Sequence, residues 1–495
     1  MRNDADPTTI SPPGAPSTTS PPAPSVVPST PETGRRAVFL VTALGSFMAA
    51  LDLSIVNVAF PDLEASYPDA SQAQLSWVIT AYTIVFGALL VTGGRTGDRL
   101  GRRRTFLTGL GVFLVGSLLC GVAPNVGVLV ASRALQGGGA AFLVPASLAL
   151  LIGAYPPERR TQTVALWGGV GALAVATGPS LGAAIVSLGG WRWAFLVNLP
   201  VGVLVAVLGS RVLTESRANE ASGRTDVGGV ALITVAVGSL VLAISQGSDW
   251  GWSDPRTIGA FAVAIAAAAW FVVHSRRHPD PVVDLALFHD RSFVVANLAT
   301  FVYATGFFAM LLGNILFLTG VWGWSIMWAG LAVTPGPIVV AIVAGPAGRL
   351  AARVGFRPLL IGGAVCFAAG LLWYVAFVGA TPDYLADWLP GTLITGLGIG
   401  LTFPVLSAAA VSTLPPERYA VGSAVNQTAR QVGGAIGVAI LVVVLGEPTT
   451  LAQSLEAFDR LWLYVAVAAL ASGAVGAWIP RPSPGRRTAP ARSSD

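Results

Sequence analysis

The sequence predicts an all-helical integral membrane protein with fourteen transmembrane helices. Of its 495 residues, 54% are hydrophobic and only 11% are charged, a composition that excludes a water-soluble globule. Fourteen apolar stretches between Ala37 and Ile479 are each long enough to cross a bilayer, whose core of about 30 Å takes roughly 20 helical residues. The stretches are too long and too uniformly apolar for barrel strands, and helices satisfy their backbone amides internally. One of them carries a lone carboxylate, Asp52, at membrane depth.

The predicted spans fall into three groups along the chain, six before Arg211, two between Val227 and Val273, and six from Phe293 onward. They begin near Ala37, Leu75, Thr105, Val128, Thr161, Trp193, Val227, Thr257, Phe293, Met327, Pro358, Trp388, Val421 and Leu461. This grouping predicts a bundle of six helices at residues 37–213, a two-helix insert with cytoplasmic loops at 214–291, and a second bundle of six at 292–480.

The two ends of the chain differ in composition from the spans. The N-terminal end is rich in Pro, Ser and Thr and lacks the apolar core of a secretory signal, and the C-terminal end is similar. We therefore expect disordered cytoplasmic tails at residues 1–36 and 481–495.

The basic residues predict the orientation in the membrane. The chain contains no lysine, so all 29 basic residues are arginines. With a cytoplasmic N-terminus, 23 of them lie on the cytoplasmic side, Arg133 and Arg430 lie within spans, only Arg192, Arg256 and Arg460 lie outside, and Arg2 is remote from the membrane. We expect a multi-pass protein of the cell membrane with both termini in the cytoplasm. The positive charge follows this topology and faces anionic lipid headgroups, so no nucleic-acid partner is expected.

Cysteine and histidine give no sign of a metal or redox site. The two cysteines, Cys120 and Cys366, lie in different spans, where packing explains both. The three histidines, His274, His278 and His289, share one cytoplasmic segment, and we expect them to face solvent or headgroups. No cofactor is expected.

A glycine- and arginine-rich loop follows the second span. It reads Gly94-Arg-Thr-Gly-Asp98-Arg99-Leu-Gly101-Arg102-Arg103-Arg104. Glycine permits a tight reversal between helices, the arginines remain at the inner headgroups, and Asp98 either pairs with them or caps a helix. A weaker copy follows the tenth span at a fixed offset of 254, with Ala352 in place of Asp98. The repetition predicts two related halves, and hence six plus two plus six helices.

Four motifs make the chain resemble the major facilitator superfamily, in particular its fourteen-span drug:proton antiporter branch. The loop from Gly94 to Arg104 resembles the signature between helices two and three. Leu51-Asp52-Leu-Ser-Ile-Val-Asn57-Val-Ala-Phe-Pro61 resembles the first-helix motif of that branch, and Arg133-Ala-Leu-Gln136 the fourth-helix motif associated with proton coupling. Gly178-Pro179-Ser-Leu-Gly182 is similar to the fifth-helix motif of antiporters, although Ala174 and Ala183 replace two of its usual glycines. The resemblance implies alternating access and export driven by a proton gradient.

Asp52 and Arg133 are the candidates for proton coupling. Both lie roughly 8 to 9 Å below the predicted outer surface, by a rise of about 1.5 Å per residue. Charges inside a membrane are costly, so each needs a partner or a wet cavity. Apolar surroundings favour the protonated acid and a nearby arginine favours the carboxylate, so a change in their separation changes proton occupancy. A permanent structural bridge, or two residues that never meet, is the alternative.

Other membrane residues are candidates for a central cavity or a bend. We expect a kink at Gly178, Pro179 and Gly182, or simple tight packing there. Polar side chains that could line a cavity, with interhelical hydrogen bonds as the alternative reading, are Asn57, Gln136, Tyr303, Asn314, Gln427 and Arg430. For Arg430, snorkelling to the headgroups is the first expectation.

The leading functional hypothesis is export of hydrophobic drugs, antibiotics or metabolites in exchange for protons. One proton crossing 100 mV supplies about 2.3 kcal/mol, and one acid therefore favours neutral or monocationic substrates. Proton-coupled or facilitative uptake is an alternative, and a receptor or channel is another from a different class. A lysine-free chain cannot form the usual ATP-binding P-loop, and no loop is large enough for a catalytic domain, so we expect no enzyme.

Overall fold

The computed structural model of the chain describes residues 32–70, 72–217, 226–279, 281–415, 418–446 and 448–480. Within these ranges the regular structure is helical, as predicted, and no strand occurs. The helices are α1 Glu32–Ser66, α2 Gln72–Leu100, α3 Arg102–Gly121, α4 Val126–Ala154, α5 Pro157–Gly189, α6 Trp193–Leu196, α7 Asn198–Val212, α8 Val227–Trp250, α9 Pro255–Arg277, α10 Arg291–Gly320, α11 Ile326–Val333, α12 Pro335–Val354, α13 Phe356–Phe377, α14 Leu389–Val411, α15 Tyr419–Leu445 and α16 Leu451–Gly476. A short 3-10 turn, Leu285–His289, precedes α10, and a π turn, Tyr384–Trp388, precedes α14.

In the described part of the chain, 13 helical segments are long and apolar enough to cross a membrane. They match every predicted span except the fifth, with α6 and α7 together forming one span and α11 and α12 another. The fifth predicted span lies in α5, a helix of 33 residues. The side chains of residues 172, 175, 176 and 179 in α5 lie outside the described part, and only Ser180–Gly189 counts as an apolar segment there. The count of fourteen therefore stays a prediction.

Helix packing divides the described chain into two groups that meet along two seams. In the first group α4 packs against α2 and α3, and α1 packs along α5. In the second group α14 packs against α12 and α13, and α10 packs against α15 and α16. The groups meet where α5 contacts α12 and where α2 contacts α15. Small residues allow the first seam to close, since a Cβ on Gly348 would lie 2.7 Å from Gln162 Cα. The bundle boundaries given above remain predictions.

The two helices of the predicted insert lie against one of these seams. Helix α8 packs on both α2 and α15, and α9 packs on α8. Only 22% of the apolar segment of α9 is buried inside the protein, against 78% of that of α4. In a bilayer, α9 therefore presents most of its surface to lipid.

The internal repeat is visible in the backbone. A single residue, Gly101, separates α2 from α3, and a single residue, Gly355, separates α12 from α13. Both adopt positive φ, +118° and +85°, a conformation that L side chains rarely adopt. The sequence offset of 254 thus relates two equivalent helix–helix turns.

The first helix begins earlier than the sequence predicts. Residues 32–36, assigned above to a disordered tail, form the first turn of α1. Glu32 lies in that turn and accepts a hydrogen bond of 3.3 Å from Arg36, one helical turn later, and an acidic residue favours a helix N-terminus. The remaining predicted tail residues, 1–31 and 481–495, lie outside the described part.

Candidate functional site

Asp52 lies at the centre of a buried polar network inside the first helix group. Its Oδ2 accepts a hydrogen bond of 2.6 Å from Arg133 Nη1, while its Oδ1 accepts from Gln136 Nε2 at 2.7 Å and from Asn198 Nδ2 at 2.8 Å. Both amides also donate to Ser117 Oγ, at 2.7 and 2.9 Å. We call Asp52, Arg133, Gln136, Asn198 and Ser117 the Asp52 network. All five are buried, and they connect α1, α3, α4 and α7.

Arg133 is held from several sides. It is fully buried, its Nε donates to the carbonyl of Val78 at 3.0 Å, and its Nη1 also donates to Gln136 Oε1 at 2.7 Å. Its guanidinium carbon lies 4.3 Å from the ring centre of Tyr82, a cation–π contact. Its Nη2 is buried without a hydrogen-bond partner in the described part of the chain. The charge of Arg133 is thus balanced chiefly by Asp52.

The equal depth predicted for Asp52 and Arg133 therefore corresponds to direct contact. Three donors, from Arg133, Gln136 and Asn198, point at the two oxygens of Asp52. The network is a closed arrangement of the kind that either a coupling site or a permanent bridge would show.

A central cavity of about 670 Å³ lies between the two helix groups. Most of its wall is apolar, and its polar lining includes Ser46, Ser54, Thr80, Thr83, Asn314, Thr319, Thr392, Thr395, Gln427, Arg430 and Gln431. None of the described residues that line it is acidic. Its volume falls within the range of about 300 to 1,000 Å³ that drug-sized ligands occupy.

The central cavity extends toward the predicted outer side. Thr319, Ile326 and Val442, near the predicted outer ends of their helices, belong to its lining. At the predicted cytoplasmic side the groups contact each other, since Arg160 Nη1 donates to the hydroxyl of Tyr419 at 2.8 Å across the seam. The two groups therefore touch at the predicted cytoplasmic side.

Asp52 does not line the central cavity. Its helix neighbours Ala49 and Leu53 do, so α1 contributes to both the cavity wall and the network through different side chains. Tyr82, which stacks on Arg133, donates a hydrogen bond of 3.4 Å to the carbonyl of Ala49. The acid and part of the cavity wall therefore belong to one helix.

The other predicted cavity residues divide into three groups. Asn314, Gln427 and Arg430 line the central cavity. Gln136 belongs to the Asp52 network instead, and Tyr303 packs against Phe307, Phe367 and Phe403 with its hydroxyl buried and without a hydrogen-bond partner in the described chain. The side chain of Asn57 lies outside the described part.

Arg430 points into the protein rather than toward the headgroups. Its Nη2 donates to Ser407 Oγ at 2.8 Å, and its guanidinium carbon lies 4.4 Å from the ring centre of Phe403. Its Nε is buried without a hydrogen-bond partner in the described chain. The snorkelling expectation is wrong because the side chain of Arg430 turns toward α14 and the cavity.

The turn between α2 and α3 is organised by two acids, and the predicted loop of residues 94–104 is helical on both sides of Gly101. Asp98 is buried and accepts hydrogen bonds from Arg102 Nε and Nη2, at 3.2 and 2.9 Å, as the pairing hypothesis expects. It also lies against the backbone of Val421, near the start of α15, which places it at the seam between the groups. Gly94 is buried and Arg99 is half-buried.

Glu215, which follows α7, caps the N-terminus of α3 after this turn. Its carboxylate accepts from the backbone N–H of Arg103 at 3.1 Å and of Arg104 at 3.2 Å, so it satisfies first-turn amides of α3. Arg103 Nη2 donates to the carbonyl of Ser210 at 2.7 Å. A Cβ on Gly101 would lie 2.5 Å from the Glu215 carboxylate, so a larger residue there would displace this cap in addition to straining the backbone.

The predicted antiporter stretch in α5 lies at close helix contacts. A Cβ on Gly178 would lie 2.2 Å from Ser54 in α1, and Gly182 is buried. Ser180 Oγ is 3.0 Å from Thr334 Oγ1, between α11 and α12. The helix runs unbroken from Pro157 to Gly189, the side chain of Pro179 lies outside the described part, and the kink stays a prediction.

Two of the three histidines pack on an acid rather than facing solvent alone. Asp226 accepts from the backbone N–H of Gly229 at 2.7 Å and of Val282 at 3.2 Å, and lies 2.7 Å from His274 Nε2. Burial alone would raise the pKa of Asp226, but these hydrogen bonds from Gly229, His274 and Val282 outweigh burial and lower it. His278 lies 3.9 Å from the same carboxylate, and Asp226 thus ties α8 to α9.

Three contributors to these sites are absent from the predicted set: Asn198, Ser117 and Glu215. Asn198 is a polar residue at the start of α7 and Ser117 is one small hydroxyl in an apolar helix, so neither carries a depth or charge signal. Glu215 is an acid among loop residues. A search for polar residues at the depth of Asp52 in every span would have found the first two.

The sequence is similar to a known protein family and to several known proteins. The family model described as Major Facilitator Superfamily matches residues 42–438. Among curated proteins, it is 36% identical over 409 residues to the Multidrug resistance protein Stp of Mycobacterium tuberculosis, covering 82% of this chain and 75% of that protein. It is 34% identical over 423 residues to the Methylenomycin A resistance protein of Streptomyces coelicolor, covering 84% and 88% respectively.

Two further similarities agree with this family match. Identity with the Tetracenomycin C resistance and export protein of Streptomyces glaucescens is 32% over 427 residues, or 85% of this chain and 79% of that protein. A crystal structure of the human organic anion transporter MFSD10 (TETRAN) superimposes with a TM-score of 0.63 and 16% identity, over 90% of this chain and 100% of that one. At this identity the structural likeness shows the fold alone.

Proposed function

The chain belongs to the major facilitator superfamily, and from this premise we propose that it exports hydrophobic drugs, antibiotics or metabolites in exchange for protons. The observation that carries the proposal is the pairing of a drug-sized central cavity with a buried acid on a helix, α1, that also lines this cavity. Its relatives are drug and antibiotic resistance proteins, which supports the direction of transport. The proton gradient supplies the energy, and no cofactor is needed.

The proposed coupling runs through α1. In the described arrangement Asp52 accepts hydrogen bonds from Arg133, Gln136 and Asn198. A shift of α1 that accompanies rocking of the two groups would separate Asp52 from at least one donor, and protonation then becomes favourable. Because Ala49 and Leu53 on the same helix contact the cavity, substrate binding and proton binding act on one element. This is alternating access with one shared switch.

The closed cytoplasmic seam supports an outward-facing state. Asp98, Arg102 and Glu215 fix the turn between α2 and α3, and Asp98 lies against α15 across the seam. Opening toward the cytoplasm requires that these contacts separate. We propose that this loop sets the balance between the two states, and that the protein lies in the cell membrane with both termini cytoplasmic.

The substrate class is a second part of the proposal. A mostly apolar wall suits hydrophobic compounds, and neutral substrates fit a single-proton exchange as predicted above. The monocationic class is not retained, since Arg430 lines the cavity and no described lining residue is acidic. A cation would meet a like charge without a counter-ion.

Expression in cells that lack their own efflux pumps tests the function. We expect resistance to a set of hydrophobic neutral antibiotics, with lower cellular accumulation that a protonophore abolishes. Uptake rather than export would raise accumulation, and a receptor or channel would leave no gradient-dependent export. Either result would overturn the proposed function.

A further inference from the structure

We propose that the central cavity recognises an anionic group, a carboxylate or another ionised oxygen acid, on an otherwise hydrophobic substrate, and that Arg430 binds it. The inference rests on the proposed function, because it names the substrate class of the same cavity. It differs from the sequence prediction of neutral or monocationic substrates.

The first observation is that Arg430 has no counter-charge. Its guanidinium contacts the ring of Phe403 and the hydroxyl of Ser407, and it forms no ion pair within the described chain. Arginine stays protonated in proteins, so this charge persists inside the membrane-spanning region. An uncompensated cation inside a membrane-spanning bundle is costly, and such residues mark substrate pathways. The site therefore lacks an anion.

The second observation is that no described residue of the cavity lining supplies a negative charge, since none is acidic. Asp52 does not line the cavity, and it is already paired with Arg133 at 2.6 Å. Arg430 therefore gives the cavity a positive potential, which favours an anion and disfavours a cation.

The third observation is a supply of unused donors. Arg430 Nε is buried without a hydrogen-bond partner in the described chain, and so is the indole Nε1 of Trp167, which also lines the cavity. A guanidinium offers parallel N–H groups that match the two oxygens of a carboxylate. The rings of Phe307 and Phe403 supply apolar walls for the rest of the molecule.

Binding of three matched probes to the purified protein in detergent tests the inference. The probes are pyrenebutanoate, its neutral amide pyrenebutanamide, and the cationic pyrenebutylamine, which share one apolar ring system. Pyrene fluorescence reports binding. We expect the wild-type protein to bind the acid about tenfold or more tighter than the amine, with the amide between them.

Substitutions assign the effect to one residue. Arg430→Gln should weaken binding of the acid about tenfold or more and leave binding of the amide unchanged, which also shows that the variant is folded. Arg430→Lys should retain part of the preference for the acid, because lysine keeps the positive charge but lacks the planar pair of N–H donors. Arg256→Gln is the matched control, since it removes the same charge from an exposed position at the start of α9 and should change nothing.

Three results would overturn the inference: equal binding of acid and amine, an equal effect of Arg430→Gln on all three probes, or no binding of any probe. The outcomes separate it from the proposed function. Acid binding that depends on Arg430, without proton-driven transport, would remove the transport proposal alone. Proton-driven export together with acid binding that ignores Arg430 would remove the inference alone.

Discussion

Asp52→Asn is the substitution that bears most directly on proton coupling. The amide has the size of the acid but carries one oxygen acceptor instead of two. If the remaining oxygen of the asparagine faces Arg133, its amide nitrogen faces two other donors, Gln136 Nε2 and Asn198 Nδ2. If the amide is reversed, its nitrogen faces the donor Arg133 Nη1. At least one hydrogen bond of the network is lost in either orientation, and the charge of Arg133 loses its partner. Removing one member of a buried ion pair costs about 3 to 5 kcal/mol, so we expect a lower melting temperature.

The transport consequence is larger than the loss of stability. One proton exchanged for a neutral substrate at 100 mV supplies about 2.3 kcal/mol, which supports a gradient of about fiftyfold. In proteoliposomes we expect the wild-type protein to build such a gradient of a neutral compound to which it confers resistance, and Asp52→Asn to build none. Counterflow of the same compound, which needs no net proton movement, should persist because Asp52 does not line the cavity.

Two controls accompany this variant. Asp62→Asn removes an exposed acid from the same helix and should leave the gradient intact. Asp52→Glu retains a titratable acid and should retain part of the coupling. A gradient in Asp52→Asn equal to that of the wild-type protein would refute the coupling role and leave Asp52 as a structural bridge.

Three further predictions concern the loop, the insert and the voltage dependence. Gly101→Ala should destabilise the protein by about 1 to 3 kcal/mol in thermal unfolding, because of its positive φ and the nearby Glu215 carboxylate, while Gly111→Ala, with open space around it, should not. Asp226→Asn should lower the melting temperature near neutral pH. Because the folded-state pKa of Asp226 is lowered, its carboxylate stabilises the fold above its ordinary pKa, and the difference in melting temperature should vanish as the pH falls through the lowered pKa. A difference that grows in acid would contradict the assignment. With one proton exchanged per molecule, export of an anionic acid moves two net charges across the membrane, and export of its neutral amide moves one. In vesicles with an imposed potassium potential, each 100 mV should therefore add about 4.6 kcal/mol of driving energy for the acid and about 2.3 kcal/mol for the amide. Equal voltage dependence of the two would contradict either the stoichiometry or the anionic substrate.

The helices and their order could be predicted because the membrane leaves few alternatives. Apolar length alone locates the spans, and the offset of 254 correctly relates the turns at Gly101 and Gly355. The membrane depths of Asp52 and Arg133 also follow from residue counting, and a buried charge needs a partner, so their contact was within reach of the sequence.

What the sequence could not supply is the direction in which each side chain points. Depth along a helix does not determine on which face of the helix a residue lies, so depth alone groups Gln136 with the cavity although its side chain contacts Asp52. For the same reason Arg430 was expected at the headgroups, while it stacks on Phe403 of another helix. Asn198 joins the network only because α7 packs beside α1 and α3, which is a tertiary contact.

The proposal that Asp52 carries the coupled proton is tested most directly by counting protons. A pH-sensitive dye inside proteoliposomes, read together with the flux of a neutral substrate, gives the number of protons moved per molecule exported. We expect about one in the wild-type protein, from its single acid in the Asp52 network, and none in Asp52→Asn. The same ratio in both proteins would contradict the proposal.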